Sequence, residues 1–232
     1  MNTFSDETSN VLDSYDWKTF TNKKINNLKI NIMAFFSNLD KNSNITDITF
    51  NDRPRLGPLD KASQAIMRGK SAFREADREI MAAYVSGLNA CSFCLGSHMA
   101  VAEQFGIKPH VIEKLVEDID SAPIQERLKP VFHYLKKLTL TPSKLTEFDV
   151  KKVKEAGWSE DALHEAILVG CLFNFYNRLL DGHGIKGNKE IYQLGGQHLA
   201  KNGYGVPWFI GLIKNIVKKS NLKKLQELKQ NS

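Results

Sequence analysis

Residues 78–98 read REIMAAYVSGLNACSFCLGSH. Ile80, Met81, Tyr84, Val85 and Leu88 recur at helical steps, and Gly87, Leu88 and Asn89 then break the pattern. A second helix is expected from near Cys91 through Met99, Val101, Ala102 and Phe105 to Gly106, a suitable C′ glycine. Two apolar helices joined by a reverse turn at Gly87–Ala90 leave no room for strand alternation.

The same period extends outward. Ala62, Ala65 and Ile66 trace a helical face from Leu59 onward. Pro109 opens a helix carrying Val111, Ile112, Leu115 and Val116. A further helix is expected over Pro123–Leu138, and Thr146 with Asp149 can cap the next. Leu163–Leu180 reads as a long apolar helix closed by Gly182 and Gly184. The fold class expected is all-α. Residues 164–184, HEAILVGCLFNFYNRLLDGHG, align with 78–98 without gaps, so that Glu79 meets Glu165 and Cys91 meets Asn177. A duplicated helical hairpin with one chemically silent copy would give this pattern.

Three regions are expected. Residues 1–55 form an N-terminal extension, helical where Trp17, Phe20, Leu28 and Phe35 recur and a loop over Ser37–Gly57, which is crowded with Asn, Asp, Pro and Gly. Residues 56–205 form the helical domain. Residues 206–232 form a basic amphipathic tail, with Trp208, Phe209, Leu212, Ile213, Ile216 and Val217 at helical steps between lysines.

A chain of 232 residues with 25% charged and 42% hydrophobic residues is of ordinary globular composition. Of the net charge of +6, the tail supplies +5, from six lysines against one acid, Glu227. A nucleic-acid-binding face on the body is therefore not expected. The tail is expected to pack its apolar side on protein and not on a membrane. No apolar run reaches the length of a membrane span. The acidic, polar start has no secretory pattern, so a cytoplasmic location is expected.

The three cysteines are Cys91, Cys94 and Cys171. In a reducing compartment a Cys-x-x-Cys pair points to catalysis or metal binding over a structural staple. On one helix Cys91, Cys94 and His98 fall within an arc of roughly 60°. Near a helix N-terminus such thiols can have pKa values of roughly 3.5–7.5. Glu79 lies ~18 Å from them along an unbroken helix. A turn at Gly87–Ala90 instead folds it back toward His98, giving a Glu–His–Cys relay in which the carboxylate orients the imidazole and the imidazole takes the thiol proton. Zinc binding by Cys91, Cys94, His98 and Glu79 is the less favoured reading, because a second Cys pair is missing. Cys171, among Ile167, Leu168, Val169, Leu172 and Phe173, reads as an inert core thiol. His110, His133, His164 and His198 read as surface or cap residues, and His183 as a loop residue beside the site. Asn177, Arg178 and Asp181 read as structural residues at a helix end.

Glu-x11-Cys-x2-Cys-x3-His in this setting, with NFYNRLLDGHG later in the chain, resembles the AhpD-like alkylhydroperoxidases, in the peroxidase-related branch of the carboxymuconolactone decarboxylase superfamily. The resemblance covers roughly Leu59 to Tyr204. It implies an all-helical bundle, a thiol-dependent hydroperoxide reductase of antioxidant type, and a homo-oligomer, a trimer or hexamer. By position Cys94 resembles the peroxide-attacking thiol, Cys91 the resolving thiol, and Glu79 and His98 the proton relay. Phe93 stands where the best-known members carry a second His. The implied partners are a small hydroperoxide and an external dithiol, lipoyl or thioredoxin-like. No flavin, haem or nicotinamide motif is present, and no metal or other cofactor is expected. The alternatives are a non-enzymatic redox sensor or oligomeric binding protein, and a decarboxylase-type enzyme of the same superfamily.

Overall fold

Helix-starting and helix-stopping residues cut the chain where proline, glycine and asparagine allow. The computed structural model describes residues 34–205 together with Ser220, Lys223, Lys224, Gln226 and Glu227. Its helices are α1 (Ile45–Asn51), α2 (Arg53–Arg68), α3 (Glu75–Leu88), α4 (Ser92–Gln104), α5 (Pro109–Glu117), α6 (Lys129–Leu140), α7 (Glu147–Glu155), α8 (Glu160–Gly182) and α9 (Lys189–Asn202). Among the described residues there is no strand, and the all-α reading holds. The expectations for residues 1–33 and for the apolar face Trp208–Val217 lie outside the described residues.

The centre of the fold is α3. Every residue from Ala76 to Ser86 is buried, so this helix is covered all round. It packs against α4, α8, α6 and α5, while α9 covers the other side of α4. Glu75 and Asp77 occupy its first turn, favourable against the positive end of the helix. Asp77 also accepts the Arg74 backbone N–H at 3.2 Å. At the C-terminus the Cys91 N–H bonds to Ser86 O and the Ala90 N–H to Gly87 O, both at 3.0 Å. This is a Schellman closure, with Ala90 at φ 54° in the left-handed position that glycine usually fills. The conformation costs an alanine roughly 1–2 kcal/mol, and it reverses the chain directly into α4. The reverse turn expected at Gly87–Ala90 is therefore present. Gly106, at φ 83°, closes α4 in the same way.

Other caps follow the sequence. Asp149 accepts the Thr146 N–H at 2.7 Å, and Ser159 Oγ accepts the Ala162 N–H at 3.1 Å.

Four readings need correction. The stretch Ser37–Gly57 is not one loop. Asn44 Oδ1 accepts the Thr46 N–H at 2.9 Å and Asp47 Oδ2 the Asn44 N–H at 3.1 Å, a capping box that starts α1. Pro54 sits in the first turn of α2, where a missing N–H removes no helical bond, and α2 runs across the expected boundary at residues 55 and 56. The helix expected over Pro123–Leu138 begins at Lys129, after a short 3-10 turn at Glu126–Leu128, because Pro130 occupies its first turn. Residues 164–184 lie almost wholly in one unbroken 23-residue helix, so the segment aligned with 78–98 lacks the hairpin turn. Cys171 is exposed, in a stripe with Leu168 and Phe175 along one side of α8.

Candidate active site

Glu79 points from α3 toward α4 and is completely buried. A carboxylate in such a place needs several donors, and it has them. His98 Nδ1 lies 2.7 Å from Glu79 Oε2. Arg68, at the last turn of α2, places Nη1 2.7 Å from Oε1. The Tyr204 hydroxyl lies 2.8 Å from Oε1 and 3.0 Å from Oε2. Burial acts to raise the Glu79 carboxyl pKa, but the His98, Arg68 and Tyr204 contacts together outweigh it and hold the group below its ordinary value.

The ionised carboxylate can only accept hydrogen bonds, which fixes the imidazole. Nδ1 carries a proton and donates it to Glu79, and in neutral His98 the lone pair lies on Nε2. Tyr204 and Nδ1 are 3.3 Å apart, but both spend their protons on Glu79 and do not bond to each other. The His98 ring is held edge-on by Phe173 of α8, with centroids 4.3 Å apart.

Cys91 is the N-cap of α4, and Cys94 is its third residue. Both thiols are free and buried, in the same first helical turn. Cys91 thus stands just outside the helix that was expected to carry it. Cys94 does not have the lowered pKa expected of a helix-terminal thiol. The hydrogen bond with Cys91 and then burial push it well above its ordinary value, with only the Asn177 amide acting against them. Among the described residues no hydrogen bond joins His98 to either thiol.

Asn177 was read as a helix-end residue, and it is instead a buried polar group beside the thiols. Its amide donates to Ser86 Oγ at 3.0 Å and its carbonyl accepts from Asn89 Nδ2 at 2.8 Å. The sequence signal was an asparagine in the middle of an apolar helical face. Arg178 is exposed, bonding Asn174 O and Oδ1 at 2.8 Å each. His110, His133, His164 and His198 are exposed. His183 ends α8, its Nδ1 2.7 Å from Leu179 O.

Tyr192 of α9 covers the thiol turn. Its hydroxyl donates to Ser92 O at 3.0 Å, and its ring meets Phe93 edge-on. Burial, with Cys91 and Cys94 as the next influences, raises its pKa. The ring fits only because Gly96 and Gly187 have no side chains: a Cβ at these positions would lie 2.3 Å and 2.0 Å from ring carbons. Gly96→Ala should therefore displace the ring and expose the thiols. Alkylation of Cys91 and Cys94 should accelerate about tenfold or more, the equivalent of ~1.4 kcal/mol less work to open the site. Timed alkylation with mass mapping checks this, and an unchanged rate in a folded variant would show that Tyr192 does not control access.

A cavity of about 400 Å³ elsewhere, with Arg74, Ile80, Lys108, His110 and Leu128 in its lining, touches none of Glu79, Cys91, Cys94 and His98. Among the described residues no group of three or more His, Cys, Asp or Glu side chains could hold a metal ion. No helix among them is long and apolar enough to cross a membrane.

No family model matches this sequence, and no curated protein does. Solved structures do match. A peroxidase-related protein of uncharacterized role from Silicibacter sp. TM1040 superposes with a TM-score of 0.60 at 24% identity, over 64% of this chain and 78% of that one. An alkylhydroperoxidase AhpD core protein, described as uncharacterized and peroxidase-related, from Ralstonia eutropha JMP134 gives 0.58 at 20% identity, over 65% and 80%. This chain has the AhpD-like fold. Within that fold the hairpin of α3 and α4 carries Glu79, Cys91, Cys94 and His98 in 20 consecutive positions, and α2, α8, α9 and the segment after α9 enclose them.

Proposed function

We propose that the chain is a thiol-dependent hydroperoxide reductase. The observation that carries this reading is the buried Glu79–His98 hydrogen bond of 2.7 Å on the hairpin that also holds the free Cys91/Cys94 pair. In the proposed cycle His98 Nε2 takes the Cys94 proton, directly or through water. The thiolate attacks the outer oxygen of ROOH and the O–O bond breaks. The alkoxide leaves with the proton as ROH, and Cys94 becomes a sulfenic acid. The Cys91 sulfur then attacks the Cys94 sulfur. Water departs and a disulfide forms, which an external dithiol, lipoyl or thioredoxin-like, reduces by exchange.

Raised Cys94 basicity keeps the thiolate scarce at rest, so this cycle requires His98 to take the proton as the peroxide enters. It also favours a second reading, a redox sensor that forms the disulfide once and turns over slowly. Peroxide consumption with dihydrolipoamide or reduced thioredoxin separates the two. The reductase reading expects many equivalents of peroxide consumed per chain, while a single equivalent would overturn it in favour of the sensor. The decarboxylase alternative has no use for a thiol pair.

The exposed apolar stripe of Leu168 and Phe175 belongs to the same proposal, since a homo-oligomer, trimer or hexamer, would cover it. A cytoplasmic location suits two free, reducible thiols.

A further inference from the structure

The Glu79–His98 pair has a support that the sequence motif does not include. Gly203, at φ 70°, turns the chain sharply after α9. Gln64 of α2 then fixes the next two residues: its Oε1 accepts the Tyr204 N–H at 2.6 Å and the Gly205 N–H at 3.0 Å. The turn is tight enough that a Cβ on Gly203 would lie 2.4 Å from Gln64 Oε1. This strap lays the Tyr204 ring parallel to the His98 ring, with an interplanar angle of 13°, and under the Arg68 guanidinium, 4.9 Å from the ring centroid. The hydroxyl reaches both oxygens of Glu79.

We propose that Tyr204 is a positioning residue of the proton relay. Delivered by the Gln64-held strap, its O–H bridges the two Glu79 oxygens, and this keeps the carboxylate ionised and aimed at His98 Nδ1. The inference rests on the relay reading above. Its physical content is a competition. Burial favours the neutral acid, and each donor that is removed lets burial gain. The charged and titratable groups around Glu79 are Arg68 from α2, His98 from α4, Tyr204 from the strap, and Arg78 on its own helix. Glu75, also on α3, lies 3.6 Å from Arg68 Nε and shares that cation. Arg68 cannot compensate for a lost tyrosine donor, because it already bonds Oε1 and leaves Oε2 to His98 and Tyr204.

The test is Tyr204→Phe in the full chain, which keeps the ring beneath Arg68 and deletes only the donor. Gln64→Ala, which frees the strap, is the second variant. Protonation of Glu79 is followed by its ¹³C carboxyl shift, and peroxide consumption is measured across pH. Losing the donor raises the carboxyl pKa, so protonation and the acid limb of the rate profile should both move to higher pH, by about one unit for Tyr204→Phe. Gln64→Ala should move them the same way by less. An unmoved Glu79 titration in both variants overturns the proposal, whatever happens to the rate. A shifted titration in a chain that consumes no peroxide upholds the positioning role and overturns the reductase reading.

Discussion

Cys94→Ser is expected to abolish peroxide consumption, and Cys91→Ser to stop it after one equivalent with a sulfenic acid trapped on Cys94. The asymmetry follows from the proposed roles, Cys94 attacking and Cys91 resolving, which the family resemblance implies. Cys94 lies within the first turn of α4, with the Asn177 amide beside it, whereas Cys91 is the cap residue next to the left-handed Ala90. Only a thiolate attacks the peroxide, so a hydroxyl at residue 94 leaves no nucleophile of comparable strength. A serine at residue 91 leaves the attack intact and removes the partner for condensation. Dimedone labelling with mass mapping measures both variants. An oxidised wild-type chain whose bridge involved Cys171, or in which no bridge formed, would sink the pairing. Cys171 sits on the exposed side of α8 and is expected to stay reduced under mild peroxide.

Glu79→Ala is expected to be among the most destabilising single changes in the protein. Arg68 has a side chain only 6% exposed and relies on the carboxylate for its 2.7 Å ion pair. Removing the anion leaves Arg68 with only the partly exposed Glu75 and the carbonyls of Met67 and Leu199, and leaves a buried imidazole N–H and a buried hydroxyl without their acceptor. Breaking a buried pair from one side costs about 3–5 kcal/mol, a large share of the ~5–15 kcal/mol that holds a typical domain together. Glu79→Leu with Arg68→Met removes both charges and should recover much of that loss. Urea denaturation of both variants measures it. A loss below about 1 kcal/mol for Glu79→Ala would mean that the network is not a stabilising unit. The same argument fixes the pH dependence. The folded-state pKa of Glu79 is depressed, so its contribution is complete above the unfolded value near 4.3 and disappears as pH falls through the lower folded value.

The sequence made the hairpin readable because its turn is written in residues with local meaning. Gly87 and Asn89 mark the end of α3 in the sequence, although Ala90 makes the turn, and the folded-back Glu79 then approaches His98. Arg68 and Tyr204 were not readable in the same way. They arrive from α2 and from the strap after α9, and nothing local marks a tyrosine 125 positions downstream as a partner for Glu79. Cys171 was misplaced because apolar neighbours show that a helix is buried somewhere, not which side is. At 100° per residue Leu168, Cys171 and Phe175 share a side, and that side is the open one. Ser37–Gly57 looks like a loop in the sequence because proline breaks most helices, although in a first helical turn, where Pro54 sits, it is a starter. The basicity of Cys94 has one local and one tertiary cause: the hydrogen bond with Cys91 lies three residues away in the same motif, whereas the burial comes from the whole fold.

The tyrosine ring lodged between Gly96 and Gly187 gives the site a clock. A thiol that is 3% exposed is expected to react only during excursions in which that ring lifts. When reagent is scarce, the reaction rate should rise with its concentration. When reagent is abundant, the rate should level off at the frequency of the excursions themselves. That plateau would be the same for a bulky alkylating agent and for a small peroxide, because it belongs to the protein and not to what enters.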